Sequence, residues 1–498
     1  MQLEEYRSAL ERFHEALQRE QYLYFSGRKE QLALLPIYSE HSDLFRLETV
    51  REIDSELAAV PVHLETPRKG LRKLRAFAIE HAVAQAASAL DKQIAEFRSR
   101  HTVLWEGAQV PLRRLAALQA SEPSAARRRR LEELRRDALI RSNPLRLDRE
   151  RTLAGAARGL GFETTLEMHR STTGIDYDRL SAAASEILEA TRADYFDRLG
   201  PSLERRAGVG PGEAERCDLP YWSRRVEFAG FFPGDRLRET VSDTFAGLGI
   251  DLDAQPGLEL DLEARPLKVS RPFCAALRVP GDVKVVLLPR GGADDHRGLL
   301  HELGHAEHFL WTGAGLAAEH RLLGDRALAE AFGVLFENLV HDEIWLADRM
   351  STERLGEYLR LEALVRAHLV RRHAGRLLFD LRFDSETVAH DPGKEYAELL
   401  RESTGVGYDR EDYLEDREEG LLAASAYLRA WMFVAQLEDM LRSRFGHAWF
   451  SSRGAASLLK EIWETGQLYT ADELARELGF TAMDPSALIE ELLEGLRR

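Results

Sequence analysis

The stretch Leu299-Leu300-His301-Glu302-Leu303-Gly304-His305-Ala306-Glu307-His308 places two histidines four residues apart, with a glutamate directly after the first. On a helix, residues i and i+4 lie one turn apart on one face. His301 and His305 can therefore aim two imidazoles at a single metal ion, and Glu302, beside that face, can take a proton from a water held there. Leu299, Leu300, Leu303 and Leu310 recur at helical spacing, so the helix is expected without help from the histidines. Asp294 and Asp295 are expected to cap its start and Gly313 its end, which gives a helix over about 295–311.

A zinc ion that does chemistry needs a third protein ligand. One class of site would use a histidine six residues after His305, but Trp311 stands there. An acid about twenty residues on would be Asp325, which follows Gly324 and reads better as a helix N-cap. Glu330 is the stronger candidate, because it is the one acid in the apolar run Ala327-Leu328-Ala329-Glu330-Ala331-Phe332. A carboxylate there costs several kcal/mol unless it is paired or binds a metal. Glu337 lies two turns along the same face and can accept a hydrogen bond from a ligand imidazole. The expected cofactor is one Zn2+ per chain on His301, His305 and Glu330. A helix over about 326–348 carries the third ligand, and His308 is a candidate substrate contact.

The rest of the chain narrows the setting. Its 498 residues, 44% hydrophobic, allow one large domain or two to three ordinary ones and exclude global disorder. No apolar run reaches the length of about 18 residues that a membrane span needs. The opening carries Glu4 and Glu5 with no apolar core, so no secretory leader is expected. Two cysteines, Cys217 and Cys274, exclude a disulfide scaffold and fit a reducing cytoplasm. A net charge of -16 argues against nucleic acid as a partner. The run Arg127 to Arg130, with Arg135 and Arg136, is interrupted by Glu132 and Glu133 and reads as a solvated, salt-bridged helix face.

Helical periodicity dominates: Tyr6, Leu10, Phe13 and Leu17 form one stripe, and 71–105, 125–140 and 179–199 read the same way. Strand chemistry is confined to 257–289, where two apolar runs flank Pro280-Gly281-Asp282 and suggest a hairpin.

These residues resemble the thimet oligopeptidase and oligoendopeptidase F type zinc peptidases. The family signature is HExGHxxH with a zinc glutamate 25 residues after the second histidine, which is where Glu330 stands. Phe336-Glu337-Asn338 takes the place of the family's Leu-Glu-Asn. Leu160-Gly161-Phe162, Thr191 to Tyr195, Trp222, Phe232-Pro233, Leu248-Gly249-Ile250, Trp431, Asp439 and Arg444-Phe445 extend the likeness over roughly 155–450. The resemblance implies a mainly α-helical, two-lobed peptidase with a deep substrate channel and one small β-sheet near the active site. Residues 1–150 would form part of the channel wall and 151–498 the catalytic region. The implied activity is zinc-dependent hydrolysis of peptide bonds in short unfolded peptides, a cytoplasmic metalloendopeptidase with Glu302 as general base. The partners would be peptides, with no nucleic acid or membrane, and no oligomeric state is implied. The 257–289 hairpin would offer an edge against which a peptide lies extended.

One segment departs from the family, which stabilises its oxyanion with tyrosines in a stretch like GYxxxYYxYLW. Anchored on Trp431, Arg429 and Leu422 stand where tyrosines would, while Tyr427 survives. Tyr408 or Tyr413 would then supply the phenol, or Arg429 would hold the oxyanion. Alternatively, Arg429 would bind a C-terminal carboxylate, as a carboxypeptidase or dipeptidyl carboxypeptidase requires, or it is a structural ion pair. A non-catalytic, zinc-containing peptide-binding protein is the remaining reading. The seven acids between Asp409 and Glu419 read as a solvated loop, or as a cleft edge that favours basic peptides.

Overall fold

The computed structural model describes residues 2–350, 353–388 and 390–498, with the side chains of Leu421 and Leu422 left aside. The described residues are mainly α-helical with two small β-sheets, of two and three strands. The chain groups into two compact units, neither divided at residue 150. One contains Met1–Ile79, Arg225–Leu359 and Arg429–Leu488; the other contains Glu80–Arg224, Arg360–Leu428 and Ile489–Arg498.

In the first unit the opening helix Leu3–Phe25 buries Tyr6, Leu10 and Phe13 as the stripe predicts, and continues to Tyr22. It packs on a three-stranded sheet of β3 (Leu258–Asp261), β4 (Phe273–Arg278) and β5 (Asp282–Val286). Tyr22 and Leu23 meet Ala275, Leu277 and Val286 there. The expected hairpin is β4–β5, antiparallel, with Cys274 opposite Val285. Its partner β3 was not anticipated and runs parallel to β5, so β5 is central and β4 is an edge strand. A peptide therefore cannot pair with β5 at Val285 or Val286, because both flanks of that strand are taken.

The histidine motif lies on helix Ala293–Trp311. Its N-cap is Gly292 rather than an aspartate. Asp295 instead ties down the preceding turn, accepting the Arg290 and Gly291 amides at 2.6 Å each. Thr312 ends the helix, while Gly313 donates its amide to the Glu464 carbonyl at 3.0 Å. The Glu330 helix, Arg326–Glu337, is shorter than expected. It tightens over Asn338–His341, and Asp342 then caps a separate helix, Glu343–Arg349.

The two helices touch closely because two glycines face the contact. A Cβ on Gly304 would lie 2.1 Å from the Phe332 carbonyl oxygen, and one on Gly333 would lie 2.8 Å from Cε1 of His301. Behind them Phe336 stacks on Phe245 and meets Trp449 and Trp463 edge-on or tilted. Among the described residues no single helix is long and apolar enough to cross a membrane.

The second unit corrects two expectations. The helix expected to reach residue 105 stops at Arg100, and β1 (Thr102–Trp105) pairs with β2 (Ala108–Pro111) in a hairpin. The stretch 179–199 is two helices, Tyr177–Ala190 and Arg192–Ala207. The arginine run lies on helix Ala125–Gly159 and is only partly solvated. Arg128 is buried with Asp218 at 2.8 Å, and Arg135 with Glu132 at 2.7 Å.

The acidic segment 409–419 is likewise not a free loop. Asp409 meets Arg136, Asp412 and Glu415 meet Arg135, and Asp416 meets Arg372. Glu418 meets Arg98 and Arg146, Glu419 meets Arg376, and Glu411 lies 4.0 Å from Arg410. These carboxylates are matched within their own unit, which removes the basis for a preference for basic peptides.

Candidate metal centre

The fold brings His301, His305 and Glu330 together, with one ligand atom from each lying within 4.8 Å of the others. Nε2 of His301 and Nε2 of His305 are 3.0 Å apart, and Nε2 of His301 is 3.7 Å from Oε2 of Glu330. Two nitrogens each about 2.0 Å from one tetrahedral zinc would be about 3.3 Å apart, so the donor set suits that ion. Two imidazoles and one carboxylate leave a fourth position open, as a hydrolytic zinc site requires.

The Glu330 helix orients both rings. Glu337 Oε2 accepts from Nδ1 of His301 at 2.9 Å, which turns Nε2 toward the cluster. His305 is hydrogen-bonded to the Ala329 carbonyl. Burial alone would lower the His301 imidazole and raise the Glu337 carboxyl. Their mutual hydrogen bond and charge reverse both, holding His301 at about 9 and Glu337 at about 2. Burial and the positive His301 keep His305 neutral.

Glu302 sits beside the donors. Burial, reinforced by Glu330, pushes its carboxyl up to about 7 against the lowering effects of His301, Arg271 and the Cys274 amide. That amide belongs to β4, so the edge strand touches the candidate base through its main chain. A divalent cation on the neighbouring donors would favour the carboxylate form, the form a general base needs.

Three nearby features were not singled out from the sequence. Arg297, one turn before His301, contacts Nε2 of His341 through Nη2 at 3.0 Å, and its Nε lies 3.7 Å from Oε1 of Glu337. Cys274 contributes its backbone rather than its thiol. The glycine pair 304 and 333 sets the helix contact, and the glycine inside the motif itself was its only visible signal.

In the same unit, Asp325, Arg429 and His308 are committed to other contacts. Asp325 is the N-cap of the Glu330 helix, accepting the Ala327 amide at 3.0 Å. It also holds Arg429 with two hydrogen bonds, at 2.8 and 2.6 Å. Asp472 accepts from Nε and Nη2 of the same guanidinium at 3.2 and 2.5 Å. Arg429 is 2% exposed and four of its five N–H donors are held by these two carboxylates, so it is placed as a structural ion pair rather than as a group open to an oxyanion or a substrate carboxylate. His308 corrects its expectation too: it is 1% exposed, contacts the Gly466 carbonyl at 3.1 Å and packs on Phe332, with burial lowering it to about 4.

Tyr408, Tyr413 and Tyr427 belong to the second unit. Tyr408 is buried edge-on to Tyr396, Tyr413 packs on Phe379 and Phe383, and Tyr427 lies edge-on to His373.

No family model matches the chain, and no curated protein matches it in sequence. Solved structures match it over nearly their whole length. PZ peptidase A with an inhibitor superposes with a TM-score of 0.68 at 13% identity, covering 100% of this chain and 97% of the other. A structure assigned as an oligoendopeptidase F from Bacillus anthracis strain Ames gives 0.66 at 12% identity, covering 99% and 94%. The chain therefore has the oligoendopeptidase F type of fold, as its motifs imply.

Proposed function

We propose that the chain is a zinc-dependent peptidase that hydrolyses short, unfolded peptides. The observation that carries this is the convergence of His301, His305 and Glu330 with Glu302 poised beside them and the edge strand β4 touching Glu302. The likeness of fold to PZ peptidase A and oligoendopeptidase F supports it. Zinc held by His301, His305 and Glu330 would supply Lewis-acid polarisation of water and substrate carbonyl. Glu302 takes the proton of the attacking water and returns it to the leaving amine. Glu337 fixes the tautomer and direction of His301. The edge strand β4, whose Cys274 amide meets Glu302, would lie alongside the substrate main chain. A cytoplasmic location belongs to the same reading, supported by Cys217 and Cys274 being free thiols.

A quenched fluorescent peptide tests the proposal on zinc-loaded protein, with and without a chelator. Glu302→Gln should keep one equivalent of zinc and lose about 10²–10⁴-fold in turnover. Stoichiometric zinc with no hydrolysis of a broad peptide library would instead establish a peptide-binding protein.

A further inference from the structure

Two arginines border the metal cluster and take no part in the chemistry above. Arg271 is exposed and stands just before β4, three residues ahead of Cys274, whose amide holds Glu302. Its neighbour Pro272 packs on the histidine helix: a Cβ on Gly298 would lie 2.6 Å from the proline ring. Gly298 is one helical turn before Glu302, so strand and helix converge where Arg271 emerges. The guanidinium is near enough for its charge to lower the Glu302 carboxyl. Arg326 opens the Glu330 helix with its side chain 53% exposed, and its Nε lies 3.8 Å from Oε1 of Glu330. That contact is long and solvated, the kind that contributes about 1 kcal/mol or less.

Exposed arginines such as Arg12, Arg51 and Arg290 likewise form no side-chain ion pair, so the meaning of Arg271 lies in its place next to the strand that holds Glu302, while the buried arginines are already committed. Arg128, Arg135, Arg417 and Arg429 are each clamped by one or more carboxylates. Arg271 forms no ion pair or hydrogen bond with any described residue. A guanidinium left without an acid beside a candidate active site is preorganised for a planar anion, because its forked donors match a carboxylate.

We propose that Arg271, seconded by Arg326, binds a carboxylate of the substrate, making this a peptidase selective for peptides that carry a carboxylate close to the scissile bond. The inference rests on the peptidase reading. The carboxylate has two sources, a free C-terminus or an Asp or Glu side chain, and the chemistry of recognition is the same for both.

The test uses one short peptide sequence in four forms, with free or amidated C-terminus crossed with an internal Asp or Asn. In zinc-loaded wild type, kcat/KM for carboxylate-bearing forms should exceed that of the neutral form by about tenfold, mainly through KM. The preference should shrink toward unity in Arg271→Gln, recover in part in Arg271→Lys, and weaken in Arg326→Gln. A preference carried by the free C-terminus assigns trimming from that end; one carried by internal Asp assigns acidic sequences. The same four peptides are titrated onto Glu302→Gln and onto Glu302→Gln/Arg271→Gln. If no form is hydrolysed, the peptidase reading fails while the binding arm still decides Arg271. Equal kcat/KM and equal Kd for all four forms, or a preference unchanged by Arg271→Gln, overturns the inference.

Discussion

Gly333→Ala should damage the metal site far more than the fold. The new Cβ would sit 2.8 Å from Cε1 and 2.9 Å from both nitrogens of His301. Ordinary contact is about 3.5 Å or more, so the ring must yield by about 0.7 Å. It cannot yield freely, because Nδ1 is bonded to Glu337 at 2.9 Å. The helices cannot separate cheaply either, since they pack at Gly304 directly against the Phe332 carbonyl. Overpacking of this kind costs about 1–3 kcal/mol, and replacing a helical glycine by alanine returns about 1 kcal/mol. The net loss of stability is therefore about 2 kcal/mol at most. The displaced imidazole, in contrast, should lower zinc affinity by about 10–100-fold, the range seen when groups that orient a ligand are lost. Zinc affinity is measured by competition with a chromogenic chelator, and stability by thermal unfolding of the metal-free protein. Affinity within twofold of wild type, with Tm unchanged, would refute the argument, since the ring could not then be where the contact requires.

Arg297→Met removes the cation beside Glu337 and should weaken zinc binding by about fivefold, or about 1 kcal/mol. It should have no further effect in a Glu337→Gln background; an additional loss there would show that Arg297 does not act through Glu337. Arg429→Ala strands Asp325 and Asp472 and should cost about 3–5 kcal/mol of stability, while turnover per folded, zinc-loaded molecule persists; an unchanged Tm would contradict the ion-pair role. His368 is lowered to about 3 by burial and by Arg372 and Arg371, so its neutral form is the one that fits, with Nδ1 on the Tyr195 hydroxyl at 2.8 Å. The unfolded chain takes up that proton near pH 6.5, so the stability contribution is complete above about 6.5 and is lost as pH falls toward 3, by about 1.4 kcal/mol per unit. The advantage of wild type over His368→Gln in denaturant titrations should shrink accordingly, and a pH-independent difference between the two would rule this out.

What was legible in the sequence is what short-range geometry dictates. The spacing of His301 and His305 follows from one helical turn. Glu330 stands out because an acid in an apolar run needs a partner, and Glu337 because it lies two turns along the same face, where the structure gives it a bond to His301. The β4–β5 hairpin followed from turn chemistry. The β1–β2 hairpin did not, because its two-residue turn puts Glu106 at φ 51 before Gly107 at φ 81, and glutamate is an unusual choice for that conformation. Strand β3 joins its sheet through a parallel, non-local pairing that no local pattern announces.

Charge was misread for a related reason. Helical spacing pairs the arginine run with Glu132 and Glu133, which the structure contains as Arg130–Glu133 and Arg135–Glu132, and it offers the 409–419 acids either solvent or a cleft edge. In the fold, Arg135 spans 280 residues to reach Glu415. Each cluster looked solvated because its partner was distant in sequence. The same accounting separates the two arginines that matter most for function. A buried guanidinium gripped by two carboxylates is already overcompensated and has no attraction left for another anion. Arg429, held by Asp325 and Asp472, is such a group. Arg271 has no carboxylate bound to it, is exposed, and stands three residues before Cys274, near enough for its charge to act on Glu302. If recognition of a substrate carboxylate occurs at this site, the unpaired arginine can supply it and the paired one cannot.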